Sequence, residues 1–256
     1  MLIQEKNEIP FFQFSAFEAY PDVRHGIFTR SGGKSLSPFD SLNVGYGLGD
    51  NEDNVAANRQ RIAHCMDDAE LIFTRQVHGA EVLVIDSEEA DKDGIKAGPG
   101  MGDAMVTDVR GKTLAIQVAD CQPVFLFDPV GKVVANVHSG WRGSIQNIVG
   151  RSVAVLAERF GSLPGNIIAG VGPSLGPCCA EFVNYRREIP ESLWGYKHRS
   201  VFFNFWALTR DQLRDAGLPA SNIEIGGICT KCHGDRFFSY RQNNLTGRFA
   251  AVIGLK

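Results

Sequence analysis

Between Leu71 and Val137 the chain passes through six short apolar or β-branched segments: Leu71 to Thr74, Val82 to Asp86, Ala104 to Thr107, Thr113 to Val118, Val124 to Phe127 and Val133 to Val137. Turn residues such as Gly111-Lys112 and Asp128-Pro-Val-Gly131 bound them, so they read as strands of one continuous β-rich core. Gly26-Ile-Phe28 predicts a further strand, followed by a long irregular loop rich in Gly, Ser, Asn and Pro up to residue 50. Strands are also expected at Ile167 to Val171, Ile223 to Gly226, Phe237 to Tyr240 and Phe249 to Ile253. Helical spacing appears from Asn51 to about Met66, with Glu52 and Asp53 where the helix dipole favours acids. It recurs from Ser144 to Phe160, with Ile145, Ile148, Val149, Val153, Leu156 and Ala157 on one face, and from Phe205 to Ala216, stopping at Gly217. No repeat or linker divides residues 1–256. The expected fold class is α+β: a single domain, with a mixed β-sheet core packed with helices in layers.

Composition narrows the partners. A chain of 256 residues that is 44% hydrophobic can bury one substantial core. Its 26 Lys and Arg against 29 Asp and Glu give a net charge of −3, and no long run of either sign offers a footprint for nucleic acid or an anionic membrane. No stretch of about 18 apolar residues occurs, and the start MLIQEKNEIPFF lacks the basic and apolar regions of a signal peptide. A cytoplasmic, small-molecule protein is expected, as monomer or homodimer. The six cysteines, at 65, 121, 178, 179, 229 and 232, are then read as thiols and not disulfides.

Three segments carry ligand-type residues beside glycine, proline or a strand end: Gln76-Val-His-Gly-Ala-Glu-Val82, Ala119-Asp-Cys-Gln-Pro-Val124 and Val137-His-Ser-Gly-Trp-Arg-Gly143. Cys121 follows a buried strand and His138 ends another, the strand ends where open sheets bind ligands. His78 lies at a break where Gly79 permits close backbone approach. Taken singly, each residue also has a structural reading, as a hydrogen-bonded imidazole or a small buried thiol. Together, two imidazoles and a thiolate suit a zinc ion with one position open, and can also host copper. A histidine ligand needs its second ring nitrogen fixed; Glu81, Asp120 and backbone carbonyls are the candidates.

Other motifs lead less far. Cys229-Thr-Lys-Cys-His233 matches the haem attachment pattern, but attachment needs export. Cys229-x-x-Cys232 has zinc spacing, yet no second pair is suitably spaced and the adjacent Cys178-Cys179 looks too constrained to complete a site, so these are expected to be packing thiols. The nucleobase deaminase signature fails at both its halves. Gly45-Tyr-Gly-Leu-Gly-Asp50 and Gly98-Pro-Gly-Met-Gly102 lack dinucleotide or P-loop spacing and read as loops.

The run His25-Gly-Ile-Phe-Thr-Arg-Ser-Gly-Gly33, Ser41-Leu-Asn-Val-Gly45, the three segments above, Gly172-Pro-Ser-Leu-Gly-Pro-Cys-Cys179 and Phe237-Phe-Ser-Tyr-Arg241 closely resemble the YfiH/YlmD family over nearly the whole chain. Those proteins are purine nucleoside phosphorylases once described as polyphenol oxidoreductases or laccases. The resemblance implies zinc-dependent phosphorolysis of adenosine, inosine and methylthioadenosine, an added adenosine deaminase activity, and metal ligands at His78, Cys121 and His138. Two positions depart from the family: Ser139 replaces the familiar alanine, and Gln242 the usual second arginine. Phosphorolysis passes through a cationic sugar and needs phosphate held below it, for which Arg142 and Arg241 offer planar guanidinium forks. Asp120 is the expected proton carrier, and Asn43, Phe125 and Tyr240 are candidate purine contacts. Three alternatives remain open: a hydrolase with Cys121 as nucleophile and His138 as base, a copper-binding oxidoreductase, and a nucleoside-binding protein without catalysis. True laccase chemistry calls for more histidines than the six present.

Overall fold

The computed structural model describes residues 1–86 and 100–256, so Gly98 and Pro99 of the second glycine-rich segment lie outside the described residues. In chain order the strands are β1 (Leu2–Lys6), β2 (Ile9–Gln13), β3 (Val23–Phe28), β4 (Glu70–Phe73), β5 (Val82–Val84), β6 (Ala104–Thr107), β7 (Lys112–Val118), β8 (Gln122–Asp128), β9 (Val133–Ser139), β10 (Ile168–Val171), β11 (Lys197–Arg199), β12 (Phe202–Phe203), β13 (Ile223–Ile225) and β14 (Phe249–Leu255). The helices are α1 (Glu52–Cys65), α2 (Trp141–Ile145), α3 (Ile148–Phe160), α4 (Tyr185–Glu188) and α5 (Phe205–Asp215).

The mixed α+β architecture agrees with expectation, but the core strands divide between two six-stranded sheets. One runs β1-β2-β3-β14-β7-β4 and the other β13-β10-β8-β9-β6-β5, while β11 and β12 form a separate ribbon. Three pairs, β4 with β7, β5 with β6 and β10 with β13, are parallel; the rest are antiparallel. Side-chain alternation then builds layers. Leu114, Ile116 and Val118 of β7, Phe249, Ala251 and Ile253 of β14, Phe125 and Phe127 of β8 and Val134 of β9 share one core between the sheets. The opposite faces of β8 and β9 (Val124, Leu126, Val133, Ala135, Val137) meet Ile148, Val149, Val153 and Leu156 of α3 and Leu213 of α5. Ala115, Ala250 and Val252 meet Ile62 and Cys65 of α1. Helix, sheet, sheet, helix is the resulting order. Asn136 of β9 crosses between the sheets, its amide donating to Leu114 O at 2.8 Å and Ala251 O at 2.9 Å.

Local chemistry explains the boundaries. Asn51 caps α1 by accepting from the N–H groups of Asp53 and Asn54. The expected single helix from Ser144 to Phe160 is instead α2 and α3, broken at Asn147. That residue takes the left-handed conformation (φ 56°) and its side chain caps α3 at Gly150 N, roles Asn fills readily. The expected strand Phe237 to Tyr240 is a chain of turns: Phe237 N bonds back to His233 O, and Ser239 O receives Gln242 N and Asn243 N. Its two phenylalanines are buried between the sheets, which gave the segment the composition of a strand. The β1–β2 hairpin, not expected, turns on Asn7 and Glu8, both at positive φ, and contains no glycine to signal it.

Candidate metal centre

The three ligand-type residues lie where the chain passes between the sheets. His78 belongs to the connection from β4 of one sheet to β5 of the other, and Cys121 to the connection from β7 to β8. His138 is the penultimate residue of β9 and shares the inter-sheet face with Val134 and Asn136. Their ligand atoms all lie within 4.8 Å of one another, with His78 exposed, Cys121 intermediate and His138 buried. The two imidazole rings stand 4.9 Å apart at 81°.

Asp103 organises this arrangement. The pairing of β6 with β9 sets Ala104 opposite Val137, so the residue before β6 falls beside His138. Asp103 is wholly buried. Its Oδ1 lies 2.8 Å from His138 Nδ1 and accepts from His78 N at 2.9 Å, while Oδ2 accepts from Gly79 N at 2.7 Å and Val77 N at 3.2 Å. The backbone is drawn in as well, His138 N donating to Asp103 O at 2.7 Å. One carboxylate thus fixes the ring of one histidine and the backbone of the other, the outer support that metal-binding imidazoles require. Glu81 does not take this part; its carbonyl receives Asp103 N and Ala104 N. The left-handed backbone at this break falls on His78, at φ 60°, while the backbone of Gly79 approaches Gly143 closely, where a Cβ would stand 2.8 Å from Gly79 O.

Electrostatics favour charged partners. Burial pushes the Asp103 carboxyl up, but His138 and the N–H groups of Gly79 and Val77 outweigh it and hold the carboxyl below its ordinary range. Burial likewise raises the Cys121 thiol and disfavours protonated His138. Their mutual attraction, joined by Asp103 at the histidine, reverses both effects, so the pair tends towards thiolate and imidazolium. A metal fits this donor set. The geometry leaves room beside it: a Cβ built on Gly140 would stand 3.0 Å from His78 Cδ2, 3.2 Å from Cys121 Sγ and 3.8 Å from His138 Cε1. Glycine there keeps the space among the three side chains clear.

The remaining candidates are placed unevenly. Asp120, at φ 86°, has both oxygens engaged: Thr230 Oγ1 donates to Oδ1 and Arg241 N to Oδ2, each at 2.6 Å. Arg142 is exposed at the start of α2, its guanidinium 5.0 Å from the Trp141 ring centre. Arg241 is exposed and gives Nη1 to Glu181 O at 2.7 Å. Asn43 and Phe125 do not face a cleft. Asn43 is wholly buried, its amide bonded to Gly45, Asp50 and Arg248 N; Phe125 packs in the core against Phe14 and His25. Tyr240 is half exposed, under the Arg248 guanidinium. Ser139, the conservative departure, pairs its hydroxyl with Ser144 at 2.9 Å.

Sequence reasoning missed Asp103 and Arg248. Asp103 offers one signal, an acid directly before the apolar run Ala104-Met-Val106, but its meaning depends on the β6–β9 register. Arg248, largely withdrawn from water, feels the negative charge of Cys121 and Asp120. A second correction concerns the other cysteines: Cys178, Cys179, Cys229 and Cys232 do converge, with sulfurs within 4.8 Å of one another.

Comparison with known proteins agrees with this fold. Residues 24–256 match a family model described as multi-copper polyphenol oxidoreductase laccase. The chain is 34% identical over 244 residues to the purine nucleoside phosphorylase YlmD of Geobacillus stearothermophilus, covering 90% of this chain and 89% of that protein. It is also 34% identical over 236 residues to the purine nucleoside phosphorylase YfiH of Escherichia coli, covering 89% and 91%. The crystal structure of YlmD from Geobacillus stearothermophilus superposes with a TM-score of 0.86 at 31% identity over 99% of this chain and 98% of that one. That of Bacillus licheniformis YfiH gives 0.85 at 30% identity over 97% and 96%. The chain belongs to the YfiH/YlmD family.

Proposed function

We propose that this chain is a zinc-dependent purine nucleoside phosphorylase acting on adenosine, inosine and methylthioadenosine, with adenosine deaminase activity at the same centre. The convergence of His78, Cys121 and His138 around Gly140 carries the reading, in a chain whose relatives are named purine nucleoside phosphorylases. Two nitrogens and one sulfur with a clear space between them fit zinc with an open position. His78, Cys121 and His138 would hold the zinc, which would supply Lewis acidity at the open position. The family description names several coppers, but six histidines in all are too few for a multicopper set.

The chain's own groups have distinct parts. Asp103 holds the proton on His138 Nδ1, so Nε2 would be free to bind a metal in place of the proton that His138 otherwise shares with Cys121. In phosphorolysis the bond from the sugar to the purine nitrogen breaks, its electron pair leaving on the purine, which takes up a proton, and a phosphate oxygen bonds to the sugar carbon in its place, so an anionic phosphate must be held near a cationic sugar. Arg142 and Arg241 offer forks for that phosphate, and Arg248 adds a cation close to Cys121 and Asp120. Asp120 acts here by position: with both oxygens engaged, it holds the backbone of Arg241 and the side chain of Thr230 in place.

One observation favours a second reading. Cys121, His138 and Asp103 form a relay of nucleophile, base and orienting carboxylate, as a cysteine hydrolase requires. That relay leaves the second imidazole, His78, without a part. Incubating the zinc-loaded protein with adenosine, with and without phosphate, tests the proposal. Phosphate-dependent adenine identifies the phosphorylase and inosine the deaminase. Absence of both products, or full turnover after complete metal removal, overturns it.

A further inference from the structure

We propose that Cys178, Cys179, Cys229 and Cys232 bind a second metal ion, a structural zinc held by four sulfurs. The inference rests on this cluster alone and not on the nucleoside reading. All four sulfurs lie within 4.8 Å of one another. Cys232 Sγ stands 3.6 Å from both Cys178 Sγ and Cys179 Sγ. With Zn–S bonds of about 2.3 Å, the edge of a zinc–sulfur tetrahedron is about 3.8 Å, so the cluster already has nearly the spacing of a closed site. One sulfur equidistant from two others suits a shared centre better than any single pairing. All four are free thiols.

The adjacent pair Cys178-Cys179 argued against such a site in an extended chain, where neighbouring side chains point apart. Here a turn resolves the difficulty: Cys179 N and Ala180 N both donate to Gly176 O at 2.9 Å, curling the pair to one side. Gly176 N in turn donates to Cys229 Sγ at 3.3 Å, the kind of bond that satisfies a thiolate's remaining charge. Cys229 and Cys232 supply the spacing of two intervening residues common in structural zinc sites. Binding would replace four S–H bonds by four Zn–S bonds, release four protons and leave a net charge of −2. Arg199, bonded to Cys178 O at 3.2 Å, brings positive charge beside it.

The site would act as a clip. It joins the loop after β10 to the loop after β13, which already meet through Ser174 N to Ile228 O and Thr230 N to Ser174 O. Both loops grip Asp120: Leu175 N donates to its carbonyl at 2.8 Å and Thr230 to its carboxylate at 2.6 Å. A metal there would therefore stiffen the support of the residue preceding Cys121.

Native mass spectrometry and elemental analysis of the full chain purified with zinc provide the test. Two zinc ions per chain are expected in the unaltered protein, one in Cys232→Ser, one in Cys121→Ala and none in the double variant. Cys232 is exposed, so serine should leave folding intact; Cys179→Ser serves if it does not. Cobalt loaded into Cys121→Ala should show the absorption of a tetrahedral four-sulfur site and lose it when Cys232→Ser is added. A single zinc that persists in Cys232→Ser and vanishes in Cys121→Ala would overturn the proposal. So would a metal-free disulfide among the four.

Discussion

Cys121 sits between two imidazoles, backed by a buried carboxylate, whereas Cys178, Cys179, Cys229 and Cys232 meet without a nitrogen or a carboxylate among them. The first group forms where strands of two sheets hand over to one another, with a glycine keeping the centre clear. The second lies between two surface loops, with Cys178 and Cys232 exposed. Three mixed ligands leave a metal a position for chemistry; four sulfurs close it. Under the function and the second site proposed above, reactivity would belong to one cluster and support to the other.

Removing one sulfur from each is the strongest way to break the contrast. Cys121→Ala should lose zinc from the first centre and with it on the order of a thousandfold in kcat/KM for phosphorolysis, the several kcal/mol that a Lewis acid contributes. Cys232→Ser should keep kcat/KM within about tenfold and lower the melting temperature, because a clip acts on stability. Steady-state kinetics and thermal scans of both variants decide it. Reversed effects would exchange the two roles.

Asp103 is the next point of difference, since among the described residues no carboxylate is bonded to the four sulfurs. Asp103→Asn would set an amide N–H₂ or a weaker acceptor against the N–H groups of Val77, His78 and Gly79 and against His138 Nδ1. Loss of such support costs about 10–100-fold in metal affinity or activity. Chelator competition should show this at the first centre only; equal weakening at both would mean that the substitution acts through the fold. Gly140→Ala is milder. Gly140 has φ −72°, so alanine fits the backbone, and its methyl would crowd His78 and Cys121 by a few tenths of an ångström. A drop of about tenfold in affinity at the first centre is expected, by analogy with other losses of ligand orientation. Unchanged affinity would show that the space is not part of the site.

The same contrast shows what could be read from the chain before its structure. Strands from Leu71 to Val137 were legible because apolar, β-branched runs alternate with turn residues. Their division into two sheets was not, because strands such as β8 and β9 are buried on both faces, so neither face is marked as the solvent side. His78, Cys121 and His138 were legible as ligand types set at strand breaks. Asp103 was not, because its role follows from the pairing of β6 with β9, which brings it to His138, 35 residues away in sequence. The four cysteines were misjudged because the turn at Gly176 that aligns Cys178 with Cys179 rests on backbone bonds that spacing alone does not disclose.

Two buried histidines carry the comparison to its finest point, since His25 of β3 and His138 of β9 both face the core between the sheets. His138 has Asp103 and Cys121 to hold its proton. His25 has Phe14 N donating to its Nε2 at 2.9 Å and the rings of Phe14, Phe17 and Phe125 around it. Burial therefore drives its pKa from 6.5 down to about 4, only partly countered by Glu224. The unfolded chain takes up this proton near pH 6.5 and the folded chain only near pH 4, so His25 lowers stability as pH falls through that window. Between pH 7 and pH 5 the loss is about 2 kcal/mol. His25→Gln keeps an acceptor for Phe14 N but cannot titrate, so its urea midpoint should fall less between pH 7 and pH 5 than that of the unaltered protein. Equal falls would mean that His25 is charged in the folded state, and that burial between the sheets without a carboxylate does not keep an imidazole neutral.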